Sequence, residues 1–134
     1  MSDFTLHPRL EADSLYIGNL NLCQIRLINN KNFPWALLIP RQDNLREFTD
    51  LSTSDQQQLM LEICKISTVL QQITGAEKMN IGAIGNMVSQ LHIHVIARFS
   101  HDIAWPHPVW GAQSNAYDST AATQLIAKLR QHIK

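Results

Sequence analysis

The segment QLHIHVIARF, residues 90–99, decides the fold prediction for this chain. Its side chains alternate in polarity, which is typical of a β-strand with one apolar and one polar face. We expect the apolar face to pack against a helix. That face carries Leu91, Ile93, Val95 and Ala97. The opposite face carries Gln90, His92, His94, Ile96 and Arg98.

Two histidines on the polar face suggest phosphate chemistry. In an extended strand, the side chains of His92 and His94 lie about 6–7 Å apart, with the amide of Gln90 beside them. A neutral imidazole attacks phosphorus to form a phosphoramidate, and a second imidazole donates hydrogen bonds to the developing negative charge. The residues alone leave this chemistry and an ordinary pair of partly buried histidines both open.

The segments before the histidine strand predict a hairpin followed by a long helix. Residues 22–28 and 35–39 are predicted as strands, joined by a turn that contains Asn and Pro. A helix is predicted from a cap at Ser52 to Gly75, because apolar residues recur there at spacings of three and four.

The remaining segments complete an α+β domain. We expect a strand over residues 78–83 and a C-terminal helix over about residues 118–133. The first fifteen residues are predicted to form a polar arm, with a short helix over residues 8–13. No repeat or linker divides the sequence, so one domain over residues 1–134 is expected, with its core at about residues 15–111. The predicted fold class is therefore α+β, built on an antiparallel sheet.

Composition narrows the classes of function. The 134 residues contain 11 Lys+Arg and 11 Asp+Glu, so neither a nucleic-acid polymer nor a membrane is an expected partner. No apolar run is long enough to span a bilayer, and the N-terminus is polar where a signal peptide is apolar, so we expect a cytoplasmic protein. Cys23 and Cys64 lack a CxxC spacing and are expected to be buried free thiols.

A glycine-containing loop leads into the histidine strand. Gly82 and Gly85 allow the backbone to approach a ligand, and Asn86 places an amide near the histidines. The same three residues are also typical of an ordinary turn.

The segment GNMVSQLHIHVIAR, residues 85–98, resembles the signature of the histidine triad family of nucleotide hydrolases and transferases. In that family a strand reads His-φ-His-φ-His-φ-φ, where φ is apolar, and follows a Gly-Gln pair. The resemblance extends to residues 37–41, to the helix that begins near Ser52 and to Trp105-Pro106. It implies a five-stranded antiparallel sheet with a long central helix and a C-terminal helix, and a homodimer that joins two such sheets.

Three departures from the signature bear on catalysis. Gln90 stands where the first histidine is usual, Asn86 where glutamine is common and Ala97 where proline is frequent. The resemblance implies that His92 is the nucleophile and that His94 helps to bind the phosphate. Gln90 then occupies a supporting catalytic position, where it keeps hydrogen-bonding ability but cannot carry a proton, so we expect it to tune activity.

The resemblance implies a hydrolase or transferase that cleaves at the α-phosphate of a nucleotide conjugate through a covalent nucleotidyl-histidine. The implied substrates are dinucleoside polyphosphates, nucleoside phosphoramidates and adenylylated compounds, and neither a cofactor nor a metal is implied. Gly85 and Asn86 are expected to contact the nucleotide. Asn29, or Asn30 next to it, is expected to bind the ribose, although both are also typical turn formers.

Two alternatives stay open. In the first, the protein is a nucleotide-binding regulatory module with weak or no turnover because of Gln90. In the second, His92 and His94 form a zinc site with His101, His107 or Asp102. Three tryptophans either stack on a base or pack in the core or at a dimer interface. They are Trp35, Trp105 and Trp110.

Overall fold

The computed structural model describes residues 4–133, which form five strands and three α-helices. The strands are β1 (Ser14–Asn19), β2 (Cys23–Ile28), β3 (Trp35–Pro40), β4 (Lys78–Gly82) and β5 (Ile93–Arg98). The helices are α1 (Pro8–Ala12), α2 (Thr53–Thr74) and α3 (Ser119–His132), with a 3-10 turn at Phe48–Asp50. Within residues 4–133, none of the helices has the length and apolar character needed to cross a bilayer.

The strands form one sheet in the order β1-β2-β3-β5-β4, and every neighbouring pair is antiparallel. The predicted hairpin is confirmed as β2 and β3, and the predicted strand before the glycine loop as β4. β5 lies between β3 and β4, so His94 pairs with Leu37 on one side and with Gly82 on the other. The α+β fold with a five-stranded antiparallel sheet is therefore confirmed.

Helix α2 forms as predicted because its ends and its apolar face are encoded locally. The Ser52 side chain accepts a hydrogen bond from the Asp55 amide at 3.1 Å, and Gly75 ends the helix with a left-handed φ of 71°. The apolar face of the histidine strand packs against this helix in the main core, as expected. The core includes Leu59, Ile63, Ile66 and Leu70 of α2, together with Leu91, Ile93, Val95 and Ala97.

Both shorter helices are also present. Helix α3 begins after Asp118, whose carboxylate accepts a hydrogen bond from the Ala121 amide at 2.7 Å. Helix α1 packs on the face of the sheet opposite α2, since β3 residues alternate between the two faces. Its Leu10 clusters with Leu37, Ile39 and Val88.

Two predictions about the first half of the chain need correction. The first fifteen residues are predicted to form a polar arm, but strand β1 already begins at Ser14. This strand contains Gly18 and Asn19, residue types that are depleted in strands, and it is stabilised by its pairing with β2. Cys23 is buried as expected, whereas Cys64 is exposed on α2.

The histidine strand is shorter than the predicted residues 90–99. Its pairing with β3 begins at Ile93, and its pairing with β4 begins at His94. Before that point, the Leu91 amide donates to the Leu45 carbonyl at 2.9 Å. His92 therefore lies one residue before β5, although the alternation of faces continues through it.

Candidate functional site

A cavity of about 550 Å³ lies over the sheet face that α1 partly covers, and its size is typical of small-molecule sites. Five of the predicted site residues line it, namely Asn29, Gly85, Asn86, His92 and His94. Helix α1 and the residue after it form a further wall, which the sequence did not indicate. That wall consists of Arg9, Leu10, Ala12 and Asp13.

A backbone contact determines the tautomer of His92. Its Nδ1 atom lies 2.7 Å from the carbonyl oxygen of Gln90. A carbonyl oxygen only accepts hydrogen bonds, so Nδ1 carries the proton and donates it. In the neutral ring of His92, the free electron pair is therefore on Nε2, as a nucleophile requires.

A side-chain contact gives His94 the opposite tautomer. The indole Nε1 of Trp35 donates to Nδ1 of His94 at 2.9 Å, so this nitrogen is unprotonated and the proton lies on Nε2. Burial, and after it the charge of His92, lower the pKa of His94 to about 4. At pH 7, His94 is therefore a neutral ring that offers an Nε2–H donor.

The two imidazoles form one compact pair. The ring centroids of His92 and His94 lie 5.0 Å apart with an interplanar angle of 68°. In the cavity, the neutral ring of His92 thus presents an electron pair, and the ring of His94 presents an N–H donor. This combination suits an electrophilic centre that carries negatively charged oxygens, such as phosphorus in a phosphate group.

The rings of two tryptophans, Trp35 and Trp110, both contact the ring of His94. The ring centroid of Trp35 is 5.5 Å from that of His94, and the centroid of Trp110 is 5.4 Å from it. Both tryptophans line the cavity. Trp105 instead lies against Arg98, whose guanidinium carbon is 5.7 Å from the centroid of the Trp105 ring. No local pattern predicts the contact between Trp35 and His94, because these residues meet only when β3 pairs with β5.

The asparagine turn and the glycine loop line the cavity as well. Asn29 Oδ1 accepts a hydrogen bond from the Tyr117 amide at 3.0 Å, and Asn30 Oδ1 accepts one from the Asn32 amide at 3.1 Å. Both asparagines thus organise their turn in addition to facing the cavity. Gly85 has a φ of 70°, a left-handed conformation that favours glycine.

The side chain of Gln90 points away from the imidazole pair. Among the described residues, Gln90 is not one of those that line the cavity. Its amide group forms hydrogen bonds with the backbone of Thr5 and His7. The structure therefore places this amide against the N-terminal arm, whereas the Gln90 carbonyl contacts His92.

The side chains of the zinc alternative have other partners. The ring of His101 packs on Phe99, with centroids 5.2 Å apart, and His107 is exposed. Asp102 forms an ion pair with Arg98 at 2.8 Å, and hydrogen bonding to that guanidinium lowers the pKa of Asp102 to about 2. In the part of the chain that the structure describes, no group of three His, Cys, Asp or Glu side chains is arranged to hold a metal ion.

The burial of His94 predicts a pH dependence of stability. The pKa of a histidine in the unfolded chain is near 6.5, whereas the pKa of His94 in the fold is about 4. Between these values the unfolded state binds a proton that the folded state does not. The free energy of unfolding is therefore expected to fall by up to about 3 kcal/mol as the pH decreases from 6.5 to 4, measured by urea denaturation.

A His94→Gln variant should lose most of this acid sensitivity, since the titrating ring is gone. The exposed His132 provides a matched control, and His132→Gln should retain the wild-type slope. An unchanged slope in His94→Gln would contradict the assignment.

Replacing Trp35 tests the tautomer of His94 directly. In Trp35→Phe, an aromatic ring remains beside His94 but the indole Nε1–H donor is lost. We expect about 1–3 kcal/mol of destabilisation, because a buried acceptor loses its partner. The ¹⁵N chemical shifts of His94 should then no longer show a single Nε2–H tautomer. Trp110→Phe makes the same change at a tryptophan that meets His94 through a ring contact, and it should leave those shifts unchanged.

Comparisons with known proteins agree with this geometry. The HIT domain family model matches residues 9–101. The structure is similar to that of a histidine triad protein from Bradyrhizobium japonicum, with 45% identity, a TM-score of 0.96 and 98% of each chain covered. It is also similar to a histidine triad (HIT) protein from Sinorhizobium meliloti, with 42% identity, a TM-score of 0.95 and 97% of each chain covered.

A third similar structure is a histidine triad protein from Marinobacter aquaeolei, with 40% identity and a TM-score of 0.94. The match covers 97% of this chain and 96% of that chain. No protein with a curated description matches the sequence. Because the family model spans more than half of the 134 residues, and three structures that are at least 40% identical match over at least 96% of each chain, this chain belongs to the HIT domain family.

Proposed function

We propose that this HIT-family protein is a nucleotide hydrolase or transferase that acts at the α-phosphate of a nucleotide conjugate. Its substrate class would be dinucleoside polyphosphates, nucleoside phosphoramidates or adenylylated compounds. The observation that carries the proposal is the pair of opposite tautomers, with His92 offering a free Nε2 and His94 an Nε2–H to one cavity.

In the first step, the Nε2 atom of His92 attacks the α-phosphorus. A P–N bond forms as the bond to the leaving group breaks, and the leaving group departs with that electron pair and takes a proton from solvent. The Nδ1–H of His92 keeps its hydrogen bond to the Gln90 carbonyl, which stabilises the positive charge that develops on the ring.

In the second step, water attacks the same phosphorus and the P–N bond breaks. Nε2 recovers its electron pair, the mononucleotide is released, and the proton lost by water passes to solvent. Throughout, His94 donates its Nε2–H to a non-bridging oxygen, and the loop at Gly85 and Asn86 borders the same cavity.

We place the ribose of the bound nucleotide near Asn29. The Oδ1 atom of this side chain already accepts a hydrogen bond from the Tyr117 amide, so its Nδ2 group would donate to a ribose oxygen. Trp35 is buried against His94, whereas the ring of Trp110 is 43% exposed and would contact the rest of the ligand.

His92→Ala should reduce AMP release from adenosine phosphoramidate or a diadenosine polyphosphate by at least about a thousandfold, because the attacking nitrogen is removed. His101→Ala is the matched control, since His101 is exposed and packs on Phe99. Mass spectrometry of wild-type protein quenched in alkaline denaturant should detect a nucleotidyl adduct on His92, because the P–N bond of the adduct is stable in alkali and labile in acid. Equal activity of His92→Ala and wild type would contradict the mechanism. AMP binding without release by wild type would instead favour the regulatory module.

We also propose a homodimer in which the β4 strands of two copies pair. β4 is at the edge of the sheet, and apolar side chains on it and after it are exposed, with Ile81 at 50%, Ile84 at 51% and Met87 at 82%. An exposed apolar sheet edge offers unpaired backbone groups to another chain, and contiguous exposed apolar patches mark interaction surfaces.

Sedimentation analysis should therefore give twice the chain mass of 15.2 kDa for wild type. Ile81→Lys should shift the protein towards a single chain, whereas Met60→Lys, on the exposed face of α2, should leave the mass unchanged. A wild-type protein that sediments as a single chain would contradict this assembly.

A further inference from the structure

The Gln90 side chain forms a two-point contact with the N-terminal arm. Its Oε1 atom accepts a hydrogen bond from the His7 amide at 2.8 Å, and its Nε2 atom donates to the Thr5 carbonyl at 2.9 Å. One side-chain amide thus bonds both an N–H and a C=O of the arm, as a neighbouring strand would do. The arm and Gln90 are more than 80 residues apart in the sequence.

This contact holds the beginning of α1. The ring of His7 caps the helix by accepting a hydrogen bond from the Arg9 amide at 3.0 Å. The far end of α1 is held separately, because the Arg26 guanidinium donates to the carbonyls of Glu11 at 3.5 Å and Ser14 at 3.1 Å. Gln90 is therefore a polar anchor before the first turn of the helix, and Arg26 is an anchor at the other end. The Thr5 amide also donates to Asp43 Oδ1, at the longer distance of 3.3 Å.

Helix α1 brings a charge to the cavity. Arg9 is the one residue with a permanent positive charge among the described residues that line it. Its Nε atom lies 3.6 Å from Asp13 Oδ2, and its side chain is 60% exposed. Such an exposed ion pair contributes little stability, so the guanidinium can turn towards an anionic ligand at small cost. An arginine also matches the geometry of phosphate oxygens.

We propose that Gln90 is a positioning residue that clamps the N-terminal arm beside the cavity, so that Arg9 binds the phosphates beyond the α-phosphate. The substrate class that benefits is a nucleotide conjugate with a polyphosphate leaving group. The role of Arg9 rests on the proposed function, whereas the clamp itself rests only on the contacts of Gln90.

The clamp is separable from the nucleophile. The contact with His92 uses the Gln90 carbonyl, which every residue has, and the next amide, that of Leu91, is tied to the Leu45 carbonyl. Replacing the Gln90 side chain therefore loosens the arm at His7 without removing the acceptor for His92. A histidine at this position would not form the same two contacts, because its two nitrogens point in divergent directions.

Hydrogen exchange of the unliganded protein tests the clamp. Gln90→Met keeps most of the side-chain volume and removes both hydrogen bonds. We expect the His7 amide, and the amides of α1, to exchange about tenfold faster in this variant than in wild type. Gln57→Met, at an exposed position on α2, is the matched control and should not change exchange in the arm. Unchanged exchange in Gln90→Met would overturn the clamp.

Ligand affinity tests the role of Arg9. Titrations are made in the His92→Ala background, so that the ligand is not consumed, with diadenosine tetraphosphate and with AMP. Arg9→Ala and Gln90→Met should each raise the Kd for diadenosine tetraphosphate about tenfold. Each should change the Kd for AMP by less than about twofold. Because Gln90 is proposed to act through Arg9, the double variant should bind diadenosine tetraphosphate as tightly as Arg9→Ala alone. Lys65→Ala, on exposed α2 surface, controls for the loss of one charge.

The outcomes separate the proposals. Equal weakening of AMP and diadenosine tetraphosphate, or additive effects of the two substitutions, would overturn the link from Gln90 to Arg9. In a Gln90→His variant, AMP release could become faster while the amides of the N-terminal arm exchange hydrogen at the wild-type rate. That result would show that position 90 serves the nucleophile instead. If wild type releases no AMP at all, the hydrolase proposal fails, yet the exchange and affinity measurements still decide the clamp.

Discussion

Side-chain alternation through residues 91–98 is the constraint on which the core and the cavity both depend. One set of side chains packs under α2, and the other carries both imidazoles into the cavity. A shift of one residue would place the histidines in the core and apolar groups in the cavity. Because β5 is paired on both sides, with β3 and with β4, this register is held from two directions. The positions of His92 and His94 are therefore a consequence of how the sheet is built.

Features that are encoded over short stretches could be predicted from the sequence. The cap at Ser52, the start of a helix near Asp118 and the glycine at the end of α2 were predicted from local signals, and the structure has all three. The period of two in the histidine segment likewise predicted which side chains share a face. His92 and His94 were identified for the same reason, since a spacing of two residues on a strand brings side chains together.

Features that depend on distant parts of the chain could not be predicted in this way. The donor to His94 comes from Trp35, 59 residues away, and the partners of Gln90 are the arm residues Thr5 and His7. Strand β1 also lacks a strong local pattern and depends on β2. The end of β5 at Ile93 depends on where its neighbours stop. In each case the deciding interaction is created by the tertiary fold, so residue types and spacing carry little information about it.

The two histidines of the cavity have different hydrogen-bond partners, a backbone carbonyl for His92 and an indole N–H for His94. His94 is buried under Trp35, and its pKa of about 4 lies well below the range in which cells operate. Over that range its ring acts as a permanent dipole, much as a backbone amide does, and not as a base that switches with pH. The protein therefore uses an imidazole at this position as a rigid, uncharged N–H donor, whose strength stays constant when the acidity of the surroundings changes.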